Sequence, residues 1–375
     1  MPQSPKPSTP RYKVNRRALL MWCFTAGLAG RPGGLAADSP RIRRSAGVIE
    51  HLFERYFFDP AWIATDEAQA LFRDMIDFAE TATDPEEFSS GFVHRFETIG
   101  LSHVGLSVQS RSAAQLGRHF DTMEIGDGAV GLEWHGTVAS LSIRTFMGVD
   151  TGPRLTAAFE EIISNRATGL IIDLRDNRGG SFAMRHLVGH CIPEPTDAGR
   201  LVGRAWYAEN AHVPDRAHIK ALMPWHGPSL VGLWHHLEEH PVTRVQFLPM
   251  QPIYDGPIAI LINRRTASAA EMVAEVLRTA QAAILVGEQS AGAMLVQRPF
   301  DVVDLFTLSL PVADYISHGS GRIEGSGLVP DICAVAEETH SAAVSSLVGS
   351  QTMRGEAMNG RCQTAETDPC TKAIP

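Results

Sequence analysis

The sequence has few cysteines, no long uncharged hydrophobic run and no excess of positive charge. Its five cysteines do not show the two-residue spacing that is typical of zinc ligands. The apolar stretch 18–29 is too short for a comfortable membrane span. Lysine and arginine (33) are outnumbered by aspartate and glutamate (42), which argues against nucleic acid as a partner. What remains is the composition of an ordinary globular chain of two or three domains.

Residues 1–36 are similar to an export signal, because a basic start and the apolar stretch are followed by small residues at Gly34 and Ala36. The run NRRALL at 15–20 resembles the twin-arginine type. An uncleaved amphipathic anchor is the alternative. Removal of the six basic residues of this segment takes the net charge from −9 to −15. We therefore expect a bacterial periplasmic or secreted protein without a stable membrane anchor.

Apolar spacing predicts helices over 45–58, 66–81 and 85–96, the last of them capped by Asp84. They indicate a helical N-terminal subdomain, 37–108, that ends in a Ser-His turn and an alternating strand. A core at 109–338 and a C-terminal helix with a polar tail at 339–375 follow.

The core carries an irregular insertion at about 193–252, which we interpret as a lid or a substrate-contacting segment. Its cluster of His235, His236 and His240 lacks an accompanying metal-ligand pattern. In the polar tail, Cys362 and Cys370 are either bridged or free, and the sequence does not decide between the two.

Residues 256–280 predict a buried strand that runs directly into a helix at Ser268. A hydroxyl at a helix N-terminus lies where free N–H groups and the helix dipole stabilise a developing oxyanion. Ser268 is therefore a candidate nucleophile. The alternative is that Thr266 or Ser268 is simply an N-cap, since serine and threonine are usual caps.

A second buried strand, within 169–180, ends in Gly179 and Gly180. Adjacent glycines allow backbone N–H groups to approach a ligand closely, which suits an oxyanion hole. A phosphate-binding loop is set aside because its lysine is missing. His103, at a strand edge, is by itself more typical of a structural histidine than of a base.

Four segments in this order, LIIDLRDNRGG, TASAAE, VGEQSAGA and GLVPDI, resemble the C-terminal-processing (tail-specific) serine peptidase family. The resemblance runs over about residues 48–332. It implies an α/β (α+β) fold, with a crotonase/Clp-protease-like core of repeated ββα units and a small helical N-terminal subdomain. It also implies a peptide or protein substrate, with no cofactor and no metal.

The chain departs from family members that use a Ser/Lys dyad, because Ala293 occupies the position of the lysine. It is more similar to the branch of tricorn protease and interphotoreceptor retinoid-binding protein. This resemblance implies a tetrad in which Ser268 attacks, His103 transfers the proton, and Ser102 and Glu324 orient the imidazole. A non-catalytic ligand- or peptide-binding protein on the same fold is the alternative function, and ester hydrolysis is a third.

The resemblance further implies that the oxyanion hole uses the N–H groups of Gly179 or Gly180 and of Ala269, while Glu271 is structural. Many family members insert a PDZ module after the N-terminal subdomain. Here the stretch 109–127 is well below the ~50 residues that a domain needs. We therefore expect no PDZ module and a substrate that reaches the site directly. The sequence leaves the oligomeric state open.

Overall fold

The computed structural model describes residues 38–356. The expected export signal and the two tail cysteines lie outside the described residues. The described helices are α1 (Ser39–Tyr56), α2 (Pro60–Ile63), α3 (Asp66–Thr81), α4 (Pro85–Phe96), α5 (Ala113–Thr122), α6 (Thr151–Ser164), α7 (Met184–Gly189), α8 (Arg204–Glu209), α9 (Arg216–Ala221), α10 (Leu230–Glu239), α11 (Ala269–Gln281) and α12 (Thr339–Glu356). The strands are β1 (Gly105–Val108), β2 (Val130–His135), β3 (Val138–Ile143), β4 (Gly169–Asp173), β5 (Thr196–Gly203), β6 (Val242–Phe247), β7 (Ile258–Ile262), β8 (Ile284–Gly287), β9 (Val296–Val302), β10 (Phe306–Ser317) and β11 (Ile332–Cys333).

Helices α1 to α4 form the expected helical unit around an aromatic core. Phe53 is fully buried, with the rings of Phe72 and Phe96 5.3 and 5.2 Å from its own. Burying each such ring stabilises the fold by about 1.5–3 kcal/mol. The Asp84 cap is confirmed, since its carboxylate accepts a hydrogen bond of 2.8 Å from the N–H of Glu87. All three predicted helices are present, and α1 begins earlier than predicted, at Ser39.

The first sheet has the order β11-β8-β7-β4-β3-β2 and is parallel except for the hairpin β2–β3. Helices α6, α7 and α11 contribute to the core on one face, and α12 packs on the other. Because both faces are covered, β4 and β7 are almost continuously apolar and buried. The hairpin followed by α6 is one ββα unit, and the expected α/β core with a helical N-terminal unit is confirmed.

The second sheet is organised around β10, the longest described strand, with which β1, β5 and β9 pair. Its apolar residues Phe306, Leu308 and Leu310 are buried in one cluster with the aromatic core of α1 to α4. The strand therefore joins the N-terminal unit to the rest of the protein.

The segment 193–252 is more regular than its composition indicated. It contains β5 and β6, which pair with each other and join the second sheet, as well as helices α8, α9 and α10. Before this segment, α7 is a short helix of six residues. Treating 193–252 as an insertion remains a prediction, but two of its strands are integral to a sheet.

Between β1 and β2 the chain forms only α5 and a 3-10 turn at Asp127–Ala129, as the length of this stretch predicted. None of the helices within 38–356 is long and apolar enough to cross a membrane. Over the same residues no group of three or more histidine, cysteine or carboxylate side chains is placed to hold a metal ion. Cys191 is a buried free thiol and Cys333 is disulfide-bonded, a state that the sequence did not predict.

Candidate active site

Ser268 lies in the sharp turn between β7 and α11, with φ 57° and ψ −125°. This backbone conformation is strained for a residue other than glycine, and such strain is common at functional sites. The turn is fixed by Thr266, which is buried and whose hydroxyl donates to the carbonyl of Leu174 at 2.9 Å. The strand-to-helix turn predicted from the sequence is thus confirmed.

Glu271, fully buried in the first turn of α11, holds this turn against the loop 290–293. Its carboxylate accepts hydrogen bonds from the N–H of Ser268 (3.0 Å), the hydroxyl of Ser290 (2.5 Å) and the N–H groups of Gly292 (2.8 Å) and Ala293 (2.9 Å). Burial raises the pKa of Glu271, while these four donors oppose the rise. Glu271 therefore positions the nucleophile turn. The neighbouring Ala293 has no basic side chain.

Gly179 and Gly180 have different roles. Gly179, at φ 92°, donates its N–H to the side-chain oxygen of Asn177 at 2.7 Å. A Cβ atom on Gly179 would lie 2.7 Å from the Cβ of Ser268 and 2.8 Å from the nitrogen of Ala269. Glycine is therefore required for the two loops to touch.

The N–H groups of Gly180 and Ala269 have no hydrogen-bond acceptor within residues 38–356. Both residues line the cavity that Ser268 also lines. Two free N–H donors beside a nucleophile are what an oxyanion hole requires. We call Ser268, Gly180 and Ala269, with the loops that hold them, the nucleophile side of the site.

The base side consists of Ser102, His103 and Glu324. The Ser102 hydroxyl lies 2.5 Å from His103 Nδ1 and donates to Glu324 Oε2 at 2.9 Å. The N–H groups of Ser102 (2.8 Å) and Met294 (2.6 Å) also donate to this carboxylate. Because the Ser102 hydroxyl proton is directed to Glu324, Nδ1 of His103 must carry the proton of its own hydrogen bond. The Nε2 lone pair is then available as a base.

Desolvation sets the protonation of these groups. It lowers the pKa of His103 to about 4, so the imidazole is neutral at pH 7. Burial raises the pKa of Glu324 to about 7, against the effect of its hydrogen bonds from Ser102 and Met294. The ionised carboxylate is stabilised by three donors, whereas a proton on it would disrupt this arrangement.

Ser268 and His103 both line a cavity of about 960 Å³. Its walls include large apolar side chains such as Trp225, Trp234 and Phe247. In the described part of the chain no hydrogen bond joins Ser268 to His103; such bonds are often long before a substrate is bound. The structure thus places Ser268, His103, Gly180 and Ala269 at one cavity. Ser102, Glu324 and Gly179 do not line the cavity. Ser102 links Glu324 to His103, and Gly179 packs against Ser268.

A strained serine at a helix N-terminus, a neutral histidine oriented through a carboxylate and two free N–H groups form the set that serine hydrolases use. The chain belongs to Peptidase family S41, which matches it over residues 137–334.

Among curated proteins, the chain is 27% identical over 175 residues to a carboxyl-terminal-processing protease of Synechocystis sp., covering 46% of this chain and 33% of that protein. The matches span a third or less of the length of this and other curated relatives. A solved lipoprotein of Streptococcus agalactiae has a TM-score of 0.54 at 16% identity, covering 82% of this chain and 96% of that one. Mature CPAF complexed with lactacystin has a TM-score of 0.53 at 13% identity, covering 86% and 99%. These two structures share the fold.

Proposed function

We propose that this chain is a serine peptidase that hydrolyses peptide bonds through Ser268, His103, Ser102 and Glu324. The observation that carries the proposal is the hydrogen-bonded series from Glu324 through Ser102 to His103, which faces the cavity of Ser268. The curated relatives are named as carboxyl-terminal-processing proteases, which supports the same reaction.

In this mechanism the Ser268 hydroxyl attacks the substrate carbonyl while Nε2 of His103 accepts its proton. The imidazolium that forms is stabilised through Ser102 by the carboxylate of Glu324. The oxyanion receives hydrogen bonds from the N–H groups of Gly180 and Ala269, because the N–H of Gly179 is already donated to Asn177. His103 then returns the proton to the leaving amine, and a water molecule releases the acyl group by the same route.

Labelling with a fluorophosphonate, with the adduct located by mass spectrometry, tests this proposal. We expect labelling at Ser268, none in Ser268→Ala, and a loss of about 100-fold or more in the labelling rate in His103→Ala. The exposed residues Ser164 and His51 supply matched controls, and their alanine variants should label like the wild type. A folded wild-type protein that is not labelled at Ser268 would contradict the proposal.

A non-catalytic binding protein is the second candidate function. It is favoured by the large apolar cavity and by the absence, within residues 38–356, of a hydrogen bond between Ser268 and His103. In that case peptides would bind with the same affinity to the wild type and Ser268→Ala, and neither protein would release a cleaved product.

Export to the periplasm or the medium is also part of the proposal, on the strength of the twin-arginine-like sequence. Intact-mass measurement of the protein from its host should give a chain that begins near residue 37. A full-length cytoplasmic chain would contradict export.

A further inference from the structure

The cavity beside Ser268 has an unusual distribution of charge. The chain as a whole has more acidic than basic residues. Yet the described residues that line the cavity include Arg111, Arg178, Arg185 and Arg244 and no aspartate, glutamate or lysine. Charged groups with one sign in a cleft raise the local concentration of ligands with the opposite sign.

The charges of three of these arginines are not neutralised by a carboxylate. Arg244 is bound by both oxygens of Asp197, at 2.8 and 2.9 Å. Arg111, Arg178 and Arg185, by contrast, form no ion pair within residues 38–356. Arg111 is exposed at the rim, whereas Arg178 and Arg185 are partly buried.

Arg185 is held in a fixed orientation. Its guanidinium lies 4.5 Å from the ring centre of Phe182 and 5.2 Å from that of Trp225. One terminal nitrogen, Nη1, donates to the carbonyls of His226 (3.3 Å) and Gly227 (2.8 Å). The Nε and Nη2 donors have no partner in the described part of the chain, so a preorganised cation is left with free donors.

Arg178 immediately precedes the glycine pair, and it lines the same cavity as Gly180 and Ser268. Its side chain has no hydrogen bond or ion pair within 38–356. Thr243 also lines the cavity, and its buried hydroxyl has no hydrogen-bond partner among the described residues. A ligand with acceptor oxygens would satisfy several of these donors at once.

Glu324 of the base side and Glu271 of the nucleophile side do not compensate for these charges. Glu324 is engaged by Ser102 and Met294, and Glu271 by four donors of the nucleophile side. Neither residue lines the cavity. Within residues 38–356, neither carboxylate therefore offsets the charge of Arg178 or Arg185.

We propose that the site selects peptides that carry a carboxylate, which Arg178 and Arg185 bind in the cavity beside Ser268. The carboxylate is that of an acidic side chain of the peptide. This inference rests on the proposed function only in naming a peptide as the ligand, and binding alone can test it.

The test measures peptide binding to Ser268→Ala by fluorescence anisotropy. Pairs of labelled peptides differ only in Glu against Gln at one position, or in a free against an amidated C-terminus. We expect the Glu/Gln pair to show a preference of about tenfold or more for the Glu peptide, decreasing as salt is raised. A preference that appears only in the C-terminus pair would overturn the inference.

Arg178→Gln and Arg185→Gln, each in the Ser268→Ala background, should reduce this preference to below about threefold, while Arg178→Lys should retain part of it. Arg118→Gln is the matched control, because Arg118 is exposed on α5 and does not line the cavity. It should leave the preference unchanged. Equal binding of charged and neutral peptides, or equal loss of the preference in Arg118→Gln, would overturn the inference.

Failure of the inference and failure of the proposed function are distinguishable. Cleavage of peptides by the wild type without a preference for charged members would refute the inference and leave the peptidase proposal standing. A preference in binding without fluorophosphonate labelling or cleavage would support the inference and contradict the peptidase proposal.

Discussion

The two sides of the site are held in place by different kinds of interaction. The nucleophile side is fixed mainly by backbone N–H groups that converge on Glu271 and Asn177, between strands of a buried parallel sheet. The base side is a series of side chains in which a titratable carboxyl, Glu324, is linked to a titratable imidazole, His103. The backbone geometry of the Ser268 turn and the linked titratable groups therefore depend on separate parts of the protein. Changes on the two sides should therefore have different measurable effects.

The largest expected effect is that of Glu324→Gln, which removes the charge from the base side. We expect kcat/KM to fall by about 10³-fold, as when the orienting carboxylate of a serine hydrolase is replaced by an amide. Wild-type kcat/KM should rise with pH through about 7, because the ionised carboxylate is required. A pH profile of kcat/KM, measured with a labile ester for the wild type and Glu324→Gln, checks both expectations. The same rise near pH 7 in Glu324→Gln would contradict the assignment to Glu324.

Stability provides an independent check of Glu324. Its pKa is raised from 4.5 to about 7 in the folded state, so the group contributes stability that is fully present below about pH 4.5 and lost as pH rises through about 7. The unfolding free energy of the wild type minus that of Glu324→Gln should therefore decrease from pH 5 to pH 8. Urea unfolding at the two pH values measures this difference. An increase in the difference from pH 5 to pH 8 would contradict a raised pKa of Glu324.

On the nucleophile side, Glu271→Gln should act mainly on stability. The variant places an amide NH₂ group where an oxygen accepts buried N–H donors, and we expect a loss of about 2–4 kcal/mol in the free energy of unfolding. Glu239→Gln, on an exposed surface at the end of α10, should change it by less than about 0.5 kcal/mol. If Glu271→Gln kept full stability but lost activity, the residue would belong to the chemistry instead.

The smallest expected effect concerns a residue that belongs to neither side. Asp84→Ala removes the cap of α4 and should lower the free energy of unfolding by about 1 kcal/mol. The kcat/KM of the folded protein should not change, while Asp84→Asn should preserve both quantities. A change of more than about twofold in kcat/KM would show that the helical unit affects the site more directly than its contacts indicate.

Local signals in the sequence were sufficient for much of the fold. Helices α3 and α4 follow from apolar spacing and caps, and the turn at Ser268 follows from a buried strand that meets a helix. Such features depend on neighbours within a few residues. The grouping of Ser102, His103 and Glu324 was implied by family resemblance alone, because residues 222 positions apart share no local signal.

Other features depend on distant contacts and were missed for that reason. Strand β5, with the sequence TDAGRLVG, contains polar residues and glycines that are not typical of a strand. It is a strand because it pairs with β10, which is distant in the sequence. The choice between Gly179 and Gly180 required the hydrogen bond from Gly179 to Asn177. That Arg178 and Arg185 line a cavity without an ion pair among the described residues could be recognised only after the cavity was known.

The position of β10 near the end of the described chain has a consequence for biosynthesis. Residues 105–108 pair with residues 306–309 of β10, and Glu324 follows that strand. A nascent chain that has emerged only as far as residue 300 contains Ser268 and His103 but lacks both the strand that anchors β1 and the carboxylate that orients the imidazole. The order of synthesis thus delays assembly of Ser102, His103 and Glu324 until nearly all of the described core is available.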